Sequence, residues 1–184
     1  MAKTLISTHD IAVLGASATL DITSGIDDTY SVYEFHYYNM HPATNQVDWM
    51  FQVNAHDGSS QLTGFDETIT SSFYYTQGGE SQTGNTSYYA TMDLAQSTGY
   101  CPLNYEVGSD ADQSTSGILT LYDPSGTTFI KHFLSESNFA QSDDMAAAAY
   151  VGGYINTTNA ITQISFKFDS GNIDAGVIKM FGVA

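Results

Sequence analysis

The chain has 184 residues, and 42% of them are hydrophobic whereas only 13% are charged, a composition that excludes disorder and suits one domain with a sizeable core. Twenty Asp and Glu residues against four lysines give a net charge of −16, which excludes nucleic-acid and anionic-membrane partners because both need a basic surface. The single cysteine excludes an internal disulfide, no apolar run reaches the roughly 20 residues of a membrane span, and the N-terminus does not resemble a signal peptide.

Alternation of apolar and polar side chains with a period of two recurs along most of the sequence and is typical of half-buried β-strands. Ala18, Leu20 and Ile22 alternate in this way with Ser17, Thr19 and Asp21. A predicted strand over 31–37 places Tyr33, Phe35 and Tyr37 on one face. A second strand over 47–53 has its apolar residues at every odd position. A shift of the strand pairing by one residue would expose these apolar side chains to solvent, so the sequence predicts a firmly fixed register.

The centre of the chain is more polar. Residues 68–75 and 87–92 are rich in Thr, Tyr and Phe and predict two further strands. Residues 77–85, between these strands, have nothing to bury and predict an exposed loop. Residues 93–99 predict a short helical turn, and residues 108–117 predict another polar loop.

The clearest hairpin signal lies in the second half of the chain. A strand over 117–122 leads into Asp123–Gly126, which has the Pro and Gly positions of a β-turn. The chain then returns in a predicted strand over 127–134. This strand is expected to place Phe129 and Phe133 on the same face.

The last third of the chain contains one ambiguous segment and two clear strands. Residues 143–150 combine two acids with four alanines, so a short helix and a strand both fit, and we favour the strand. Residues 162–168 alternate and predict a strand, and residues 169–172 predict a turn. A final strand is expected over 173–183, with a bulge allowed by Gly176.

About ten short strands separated by turns predict an all-β fold, an antiparallel β-sandwich of the jelly-roll-like kind. We expect a single domain over residues 1–184, in which a short N-terminal segment of about residues 1–10 could form an arm. The first and last strands are expected to lie near each other.

The sequence contains no G-x-S-x-G, H-E-x-x-H or P-loop motif. Cys101 lacks the electropositive setting that activates a thiol, so we expect it to be buried and inert. Glu34 and Asp48 could be the paired carboxylates of a glycoside hydrolase, but nothing in the pattern fixes their separation. We therefore predict no catalytic residue and no enzyme activity.

Two features invite a metal interpretation. His36 and His41 could approach one ion together with Asp48, but this set of ligands fits no usual zinc pattern. Three runs of acids resemble parts of calcium loops, although none has the full ligand order: Asp27–Asp28, Asp110–Asp112 and Asp143–Asp144. Strand residues and solvated loop acids explain the same patterns, so we predict no metal and no cofactor.

Thirteen tyrosines are present, and adjacent pairs occur at 37–38, 74–75 and 88–89. Consecutive strand residues point to opposite faces of a sheet, so one tyrosine of each pair is predicted to be exposed or buried against another chain. Tyrosine is favoured at protein interfaces and suits stacking on sugars, although it also covers half-polar sheets without any such role.

Seven segments carry a family resemblance: Leu5–Thr8, Ser24–Phe35, Met40–Thr44, Phe51–Asn54, Leu121–Ser125, Gly153–Thr158 and Phe168–Val183. They resemble small virion structural or tail-fibre-like proteins of tailed bacteriophages, many of them marine. The resemblance covers nearly the whole chain, and its closing segment is the most specific part. It implies a β-sandwich on the exterior of a virus particle, made in the host cytoplasm and released by lysis. It supplies no catalytic residues, and the lack of a shaft or anchor argues against a complete tail fibre.

The leading expectation is therefore a non-enzymatic virion surface protein, a capsid decoration or cement protein. Its expected partners are the major capsid protein or other virion proteins, and it is expected to form a homo-oligomer such as a trimer. The alternative is a receptor-binding module of the phage tail, in which Tyr74, Tyr75, Tyr88 and Tyr89 would stack on a host glycan. A small secreted hydrolase on a sandwich scaffold is a third hypothesis, which the missing motifs disfavour.

Overall fold

A computed structural model of the protein describes residues 2–79 and 84–184. These residues form twelve β-strands, one single-turn α-helix and one 3-10 helix. In chain order the elements are β1 (Lys3–Asp10), α1 (Ile11–Leu14), β2 (Leu20–Ile22), β3 (Val32–Pro42), β4 (Trp49–His56), β5 (Ile69–Gly78), β6 (Gly84–Tyr88), the 3-10 helix (Ala90–Met92), β7 (Cys101–Pro102), β8 (Thr115–Tyr122), β9 (Lys131–Ala140), β10 (Ala146–Ile155), β11 (Ala160–Phe168) and β12 (Ile173–Val183). The described residues contain no helical segment that could span a bilayer.

The strands form two antiparallel sheets, which confirms the predicted all-β sandwich. The larger sheet has eight strands in the order β1-β12-β3-β8-β9-β10-β5-β6, and the smaller sheet has four in the order β2-β11-β4-β7. Two strands of the smaller sheet, β2 and β7, have three and two residues. β2 lies within the alternating segment 17–22, whereas β7 is too short to show periodicity and β1 lies in the segment expected only as an arm. β1 and β7 therefore account for the excess over the roughly ten strands expected from the sequence.

Strands from the two halves of the chain pair in a nested order. β3 pairs with β12, β4 with β11, and β5 with β10. The chain therefore crosses between the sheets in its first half and retraces the same path in reverse in its second half, as in a jelly roll. This nesting brings residues more than a hundred positions apart into direct contact.

The first and last strands lie side by side, as predicted. Ser7–Asp10 pairs regularly with Met180–Val177, and a bulge at Ile6 interrupts the ladder towards the N-terminus. The segment considered as an arm is thus β1, the edge strand of the larger sheet. Asp10 then begins α1, because its carboxylate accepts a hydrogen bond from the Ala12 amide at 2.9 Å.

The core between the two sheets is largely aromatic. The three apolar residues predicted for one face of β3 are fully buried. Phe35 meets Phe166 of the smaller sheet with 5.8 Å between ring centroids, and Phe51 meets Phe133 of the larger sheet at 5.0 Å. Each buried ring removes a large apolar area from water, and this burial is the main term that holds the sheets together.

The ambiguous alanine segment is a strand, the interpretation that the sequence analysis favours. β10 lies between β9 and β5 and pairs with both along its full length. Ala147 and Ala149 face the core. Two neighbouring ladders supply partners for the backbone of β10, so tertiary pairing overrides the helix propensity of alanine.

Three predictions for the centre of the chain are wrong. The strand predicted over 87–92 lies earlier, as β6, and ends at Tyr88. The predicted helical turn over 93–99 is absent, and a 3-10 helix lies just before it instead. The predicted exposed loop over 77–85 is shorter, because Gln77 pairs with Asn85 and extends the hairpin of β5 and β6. Residues 80–83 of that loop lie outside the described residues. Backbone pairing between polar residues is invisible to an analysis based on apolar periodicity.

The hairpin in the second half forms, but its returning strand begins later than predicted. The turn is closed by a hydrogen bond from the Gly126 amide to the Asp123 carbonyl at 3.2 Å. β9 starts at Lys131, so Phe129 precedes the strand and is 73% exposed, whereas Phe133 is buried. The final strand has the predicted bounds, and its bulge falls at Gly176 with φ of +119°.

Candidate functional site

One cross-strand row of side chains defines the outer face of the larger sheet, the face turned away from the smaller sheet. In spatial order the row runs through Lys179, His36, Ile118, Glu136, Tyr150, Tyr74 and Tyr88, each directly paired with the next. Directly paired residues project from the same face of an antiparallel sheet. The outer face therefore gathers groups from seven strands that are scattered through the sequence.

Exposed apolar side chains are concentrated on this outer face. Eight of the eleven large hydrophobic residues that are exposed in the described chain belong to it: Leu5, Tyr38, Tyr74, Tyr88, Ile118, Tyr122, Leu134 and Tyr150. Exposed apolar residues scattered over a surface need no explanation, but a contiguous group marks a binding surface.

The three tyrosine pairs behave as the alternation of a strand predicts. Tyr37 is buried in the core whereas Tyr38 lies on the outer face, and Tyr75 is buried whereas Tyr74 is 48% exposed. In the third pair Tyr88 is 65% exposed. The prediction of one exposed tyrosine in each pair is confirmed, and all three exposed rings lie on the same face of the larger sheet.

Three depressions in the outer face meet at one carboxylate. They have volumes of about 490, 290 and 230 Å³, and Glu136 lines all three. Tyr150 lies between the two larger ones, and Ile118 lies between the first and the third. Glu136 is exposed and takes part in none of the three ion pairs found among residues 2–79 and 84–184. Its carboxylate is therefore available to a ligand.

A second carboxylate on the same face is already occupied. One oxygen of Glu34 accepts hydrogen bonds from Lys3 Nζ and His36 Nε2, both at 2.6 Å. Burial opposes the ionisation of Glu34, but these two hydrogen bonds outweigh it and keep the pKa of Glu34 below its usual range. Glu34 thus links the edge strand β1 to β3 across β12.

Cys101 lies in β7 and is fully buried. Burial raises the pKa of its thiol to about 12, so the thiol is protonated at neutral pH. This agrees with the expectation of a buried and inert cysteine.

The structure does not bring His36, His41 and Asp48 together. His36 contacts Glu34 on the outer face, whereas the ring of His41 bridges Asp174 Oδ1 at 2.6 Å and the Asp110 carbonyl at 3.2 Å. Within residues 2–79 and 84–184 no group of three or more His, Cys, Asp and Glu side chains is placed to hold a metal ion.

Glu34 and Asp48 also lie apart, since Glu34 is on the outer face of the larger sheet and Asp48 directly precedes β4 of the smaller sheet. Asp48 accepts a hydrogen bond from the Glu106 amide at 2.8 Å, and its own amide donates to Asp169 Oδ1 at 3.1 Å. The thickness of the sandwich, about 10 Å between sheets, separates the two predicted carboxylates.

The paired acids serve local loop structure. Asp27 accepts hydrogen bonds from the Thr29 amide and the Tyr33 hydroxyl, each at 2.9 Å. Asp144 accepts from Gln113 Nε2 at 2.9 Å. Such contacts to nearby amides and hydroxyls are the usual role of aspartates in turns.

Sequence reasoning missed the centre of the outer face, namely Glu136, Leu134 and Ile118. The signal was present, because β9 alternates regularly over its whole length between buried and exposed residues. Serines occupy two of the inward positions and weaken the apolar pattern. Pairing of β9 with β8 and β10, which sequence alone does not specify, then places Glu136 between Ile118 and Tyr150.

No protein-family model, curated protein or solved structure matches this chain.

Proposed function

We propose that this protein is a non-enzymatic component of the outer surface of a bacteriophage particle, a capsid decoration or cement protein. The observation that carries the proposal is the free edge of β1 together with the apolar pair that follows it. Val13 and Leu14 in α1 are 82% and 61% exposed. The resemblance to small phage virion proteins supplies the viral context.

The edge of β1 is suited to docking on another protein. β1 is the terminal strand of the larger sheet, so the backbone groups on its free side have no partner strand within residues 2–79 and 84–184. Natural edges are often protected by proline, bulges or charges. Here the bulge lies at Ile6, and the regular run Ser7–Asp10 beyond it contains no proline and leads directly to Val13 and Leu14. A strand of a neighbouring protein can add to this edge and cover the apolar pair.

The partner on the particle is the major capsid protein or another virion protein, and several copies, such as a trimer, occupy one site. The net charge of −16 supports this arrangement, because free copies repel one another until a particle surface holds them. Repulsion also protects the open edges of unbound copies from pairing with each other.

Mass spectrometry of purified particles tests the viral assignment, since a decoration protein is recovered with the particles. Rebinding to particles that lack the protein tests the surface. The double variant Val13→Ser, Leu14→Ser is expected to keep the strand-rich circular dichroism spectrum but to lose at least about ten-fold in binding, because two buried apolar contacts are removed.

Phe129→Ser is the matched control for this variant. Phe129 is 73% exposed and lies in the connection that follows Tyr122. Tyr122 is level with Val32 and Val183, at one end of the sheet, whereas α1 follows the pair of Asp10 and Val177 at the other end. Its loss should leave rebinding unchanged. Absence of the protein from particles, or equal rebinding by the double variant and the wild type, contradicts the proposal.

A second candidate function is a receptor-binding module of the phage tail that recognises a host glycan. The observation that favours it is the parallel ring pair of Tyr74 and Tyr150 beside the available carboxylate of Glu136. Labelling of particles with a gold-conjugated antibody separates the two functions. Label on the head supports the decoration protein, and label on the tail supports the receptor-binding module.

A further inference from the structure

The outer face combines an apolar platform with hydrogen-bonding groups in a groove. The Tyr74 and Tyr150 rings are stacked with 5.2 Å between centroids and 14° between planes. The rings are 48% and 38% exposed, and Tyr88 continues the row on the next strand. Ring faces carry partial negative charge and attract the polarised C–H groups of a sugar ring. The stack covers one face of each ring, so the remaining face of Tyr150, which also lines the larger depression, suits one pyranose unit.

The space beside this platform is kept open by a glycine. Gly152 faces outward between Leu134 and Ser72 in the cross-strand pairing, and the three residues line the depression of about 290 Å³. A Cβ atom at this position would lie 3.2 Å from the Leu134 Cδ2 atom. A larger side chain would therefore occupy the groove itself without entering the core.

Polar groups line the larger depression, on the other side of Tyr150. Glu136 offers two carboxylate oxygens as acceptors. Asn138 donates its Nδ2 to the Ala147 carbonyl at 3.1 Å, so its amide oxygen remains to accept. Ser116 accepts the Asn39 amide at 2.9 Å through its hydroxyl oxygen and keeps its own proton to donate. An acceptor-rich surface of this kind matches a ligand with many hydroxyl donors.

Charge decides which polyhydroxyl ligand fits. Glu136 lines all three depressions without an ion-pair partner among the described residues, and the whole chain carries a net charge of −16. A uronate, sulfate or phosphate polymer would be repelled, and a second copy of this acidic face would be repelled for the same reason. A neutral glycan escapes this repulsion, and its hydroxyl groups hydrogen-bond well to a carboxylate.

We propose that the outer face binds a neutral surface polysaccharide of the host cell, with a pyranose ring against Tyr150 and hydroxyl groups of the adjoining unit hydrogen-bonded to Glu136. This inference rests on the proposed adhesive, non-enzymatic function and gives it a ligand class. Attachment through β1 leaves the outer face free, so the protein can hold the particle with one surface and the polysaccharide with the other.

The test measures binding of the full chain to six-unit oligosaccharides of glucose, galactose and mannose by ligand-observed NMR titration, with a six-unit oligogalacturonate as the acidic counterpart. At least one neutral hexamer is expected to bind saturably, and the oligogalacturonate is not. Tyr150→Ala and Glu136→Ala should each weaken binding about ten-fold. Glu136→Gln keeps one acceptor oxygen and should bind better than Glu136→Ala, and Gly152→Val should abolish binding by filling the groove.

All four substitutions lie at outward-facing positions, and an unchanged circular dichroism spectrum verifies the fold of each variant. Phe129→Ala is the control for an exposed ring away from the groove and should bind as the wild type does. Periodate treatment, which cleaves vicinal diols of sugars, should abolish binding of the protein to host cells, whereas protease treatment should not.

Binding by none of the neutral hexamers, binding of oligogalacturonate as tight as that of a neutral hexamer, or wild-type binding by Tyr150→Ala would overturn the proposal. Loss of cell binding after protease instead of periodate would overturn it in favour of a protein receptor. The Val13→Ser, Leu14→Ser variant should bind the oligosaccharide normally, so failure of glycan binding is distinguishable from failure of particle attachment.

Discussion

The indole of Trp49 lies parallel to the ring of Phe166, with 5.6 Å between the ring centroids and 9° between the planes. The two residues come from neighbouring strands of the smaller sheet, β4 and β11, and both are fully buried. Trp49 also meets Phe168 at 4.9 Å and Tyr37 of the larger sheet at 6.1 Å. Trp49 thus has three aromatic neighbours, two in its own sheet and one in the larger sheet across the sandwich.

Trp49→Ala is expected to lower the free energy of unfolding by about 3–5 kcal/mol, because it leaves a large cavity between the sheets. Trp49→Phe should cost at most about 1.5 kcal/mol, since the Nε1 atom is buried without an acceptor among the described residues and its removal loses no hydrogen bond. Urea unfolding of both variants measures the two costs. Equal losses would contradict the packing argument, because Trp49→Phe keeps an aromatic ring in the core and Trp49→Ala does not.

Gly176 is required by the bulge in β12. Its φ of +119° disfavours any other residue, and an added Cβ would lie 2.6 Å from Met40 Sδ and 2.8 Å from the Asn39 carbonyl oxygen. Gly176→Ala should therefore destabilise the protein by about 2–4 kcal/mol. Gly15→Ala is the control, because Gly15 also has a positive φ but no atom lies within 4 Å of its added Cβ. It should cost about 1–3 kcal/mol from backbone strain alone, and less than Gly176→Ala. Thermal unfolding compares the two, and an equal cost would refute the steric argument.

Asp48 makes stability depend on pH in a direction opposite to that of most carboxylates. Burial raises the pKa of Asp48 to about 6, the hydrogen bond from the Glu106 amide opposes this rise, and the charges of Asp169 and Glu106 add to it. The folded protein therefore binds this proton more tightly than the unfolded chain does. The contribution of Asp48 to the free energy of unfolding then decreases as the pH rises from about 4 to about 6.

Asp48→Asn isolates this contribution and keeps an acceptor oxygen for the Glu106 amide. At pH 7 the variant is expected to be more stable than the wild type by on the order of 1–2 kcal/mol, and the difference should vanish near about pH 3.5. Denaturant titrations at both pH values measure it. A constant difference across this range would show that Asp48 does not titrate with a raised pKa.

Cys101 should resist modification while the protein is folded. Its thiol is fully buried, and the raised pKa keeps it protonated at pH 8. We expect less than about 5% reaction with a thiol-specific disulfide reagent in the time in which the urea-unfolded chain reacts completely. Absorbance of the released thiolate measures the reaction, and rapid labelling of the native protein would contradict the burial of Cys101.

Local pattern was enough to predict the fold class and the facing of most strands. The alternation around Tyr33, Phe35 and Tyr37 predicts which side of β3 is buried, and the exposed member of each tyrosine pair follows from the same geometry. The bounds of β12 and the bulge at Gly176 also follow from the sequence. Each of these features depends on residues that are neighbours along the chain, so each can be predicted from the local sequence.

Partner choice between strands was not predictable. Gln77 and Asn85 pair through backbone groups that every residue carries, and Phe129 lies in the predicted strand by composition although the ladder begins two residues later. The position of Glu136 between Ile118 and Tyr150 depends on three strands that are separated along the chain. Side-chain periodicity says which residues face the core, but it does not say which strands lie next to each other.

The amino-acid order by itself determined an acidic, all-β chain with one apolar face on each main strand, because the period of two is a local property and the charge is a sum over residues, 20 acidic against four basic. Only the tertiary structure decided that β1 is an open edge and that the exposed tyrosines share one face with an available carboxylate. Those relationships arise when the strands pair in nested antiparallel order. They depend on contacts between segments that are distant in the sequence, and the free energy of such contacts cannot be read from one segment alone.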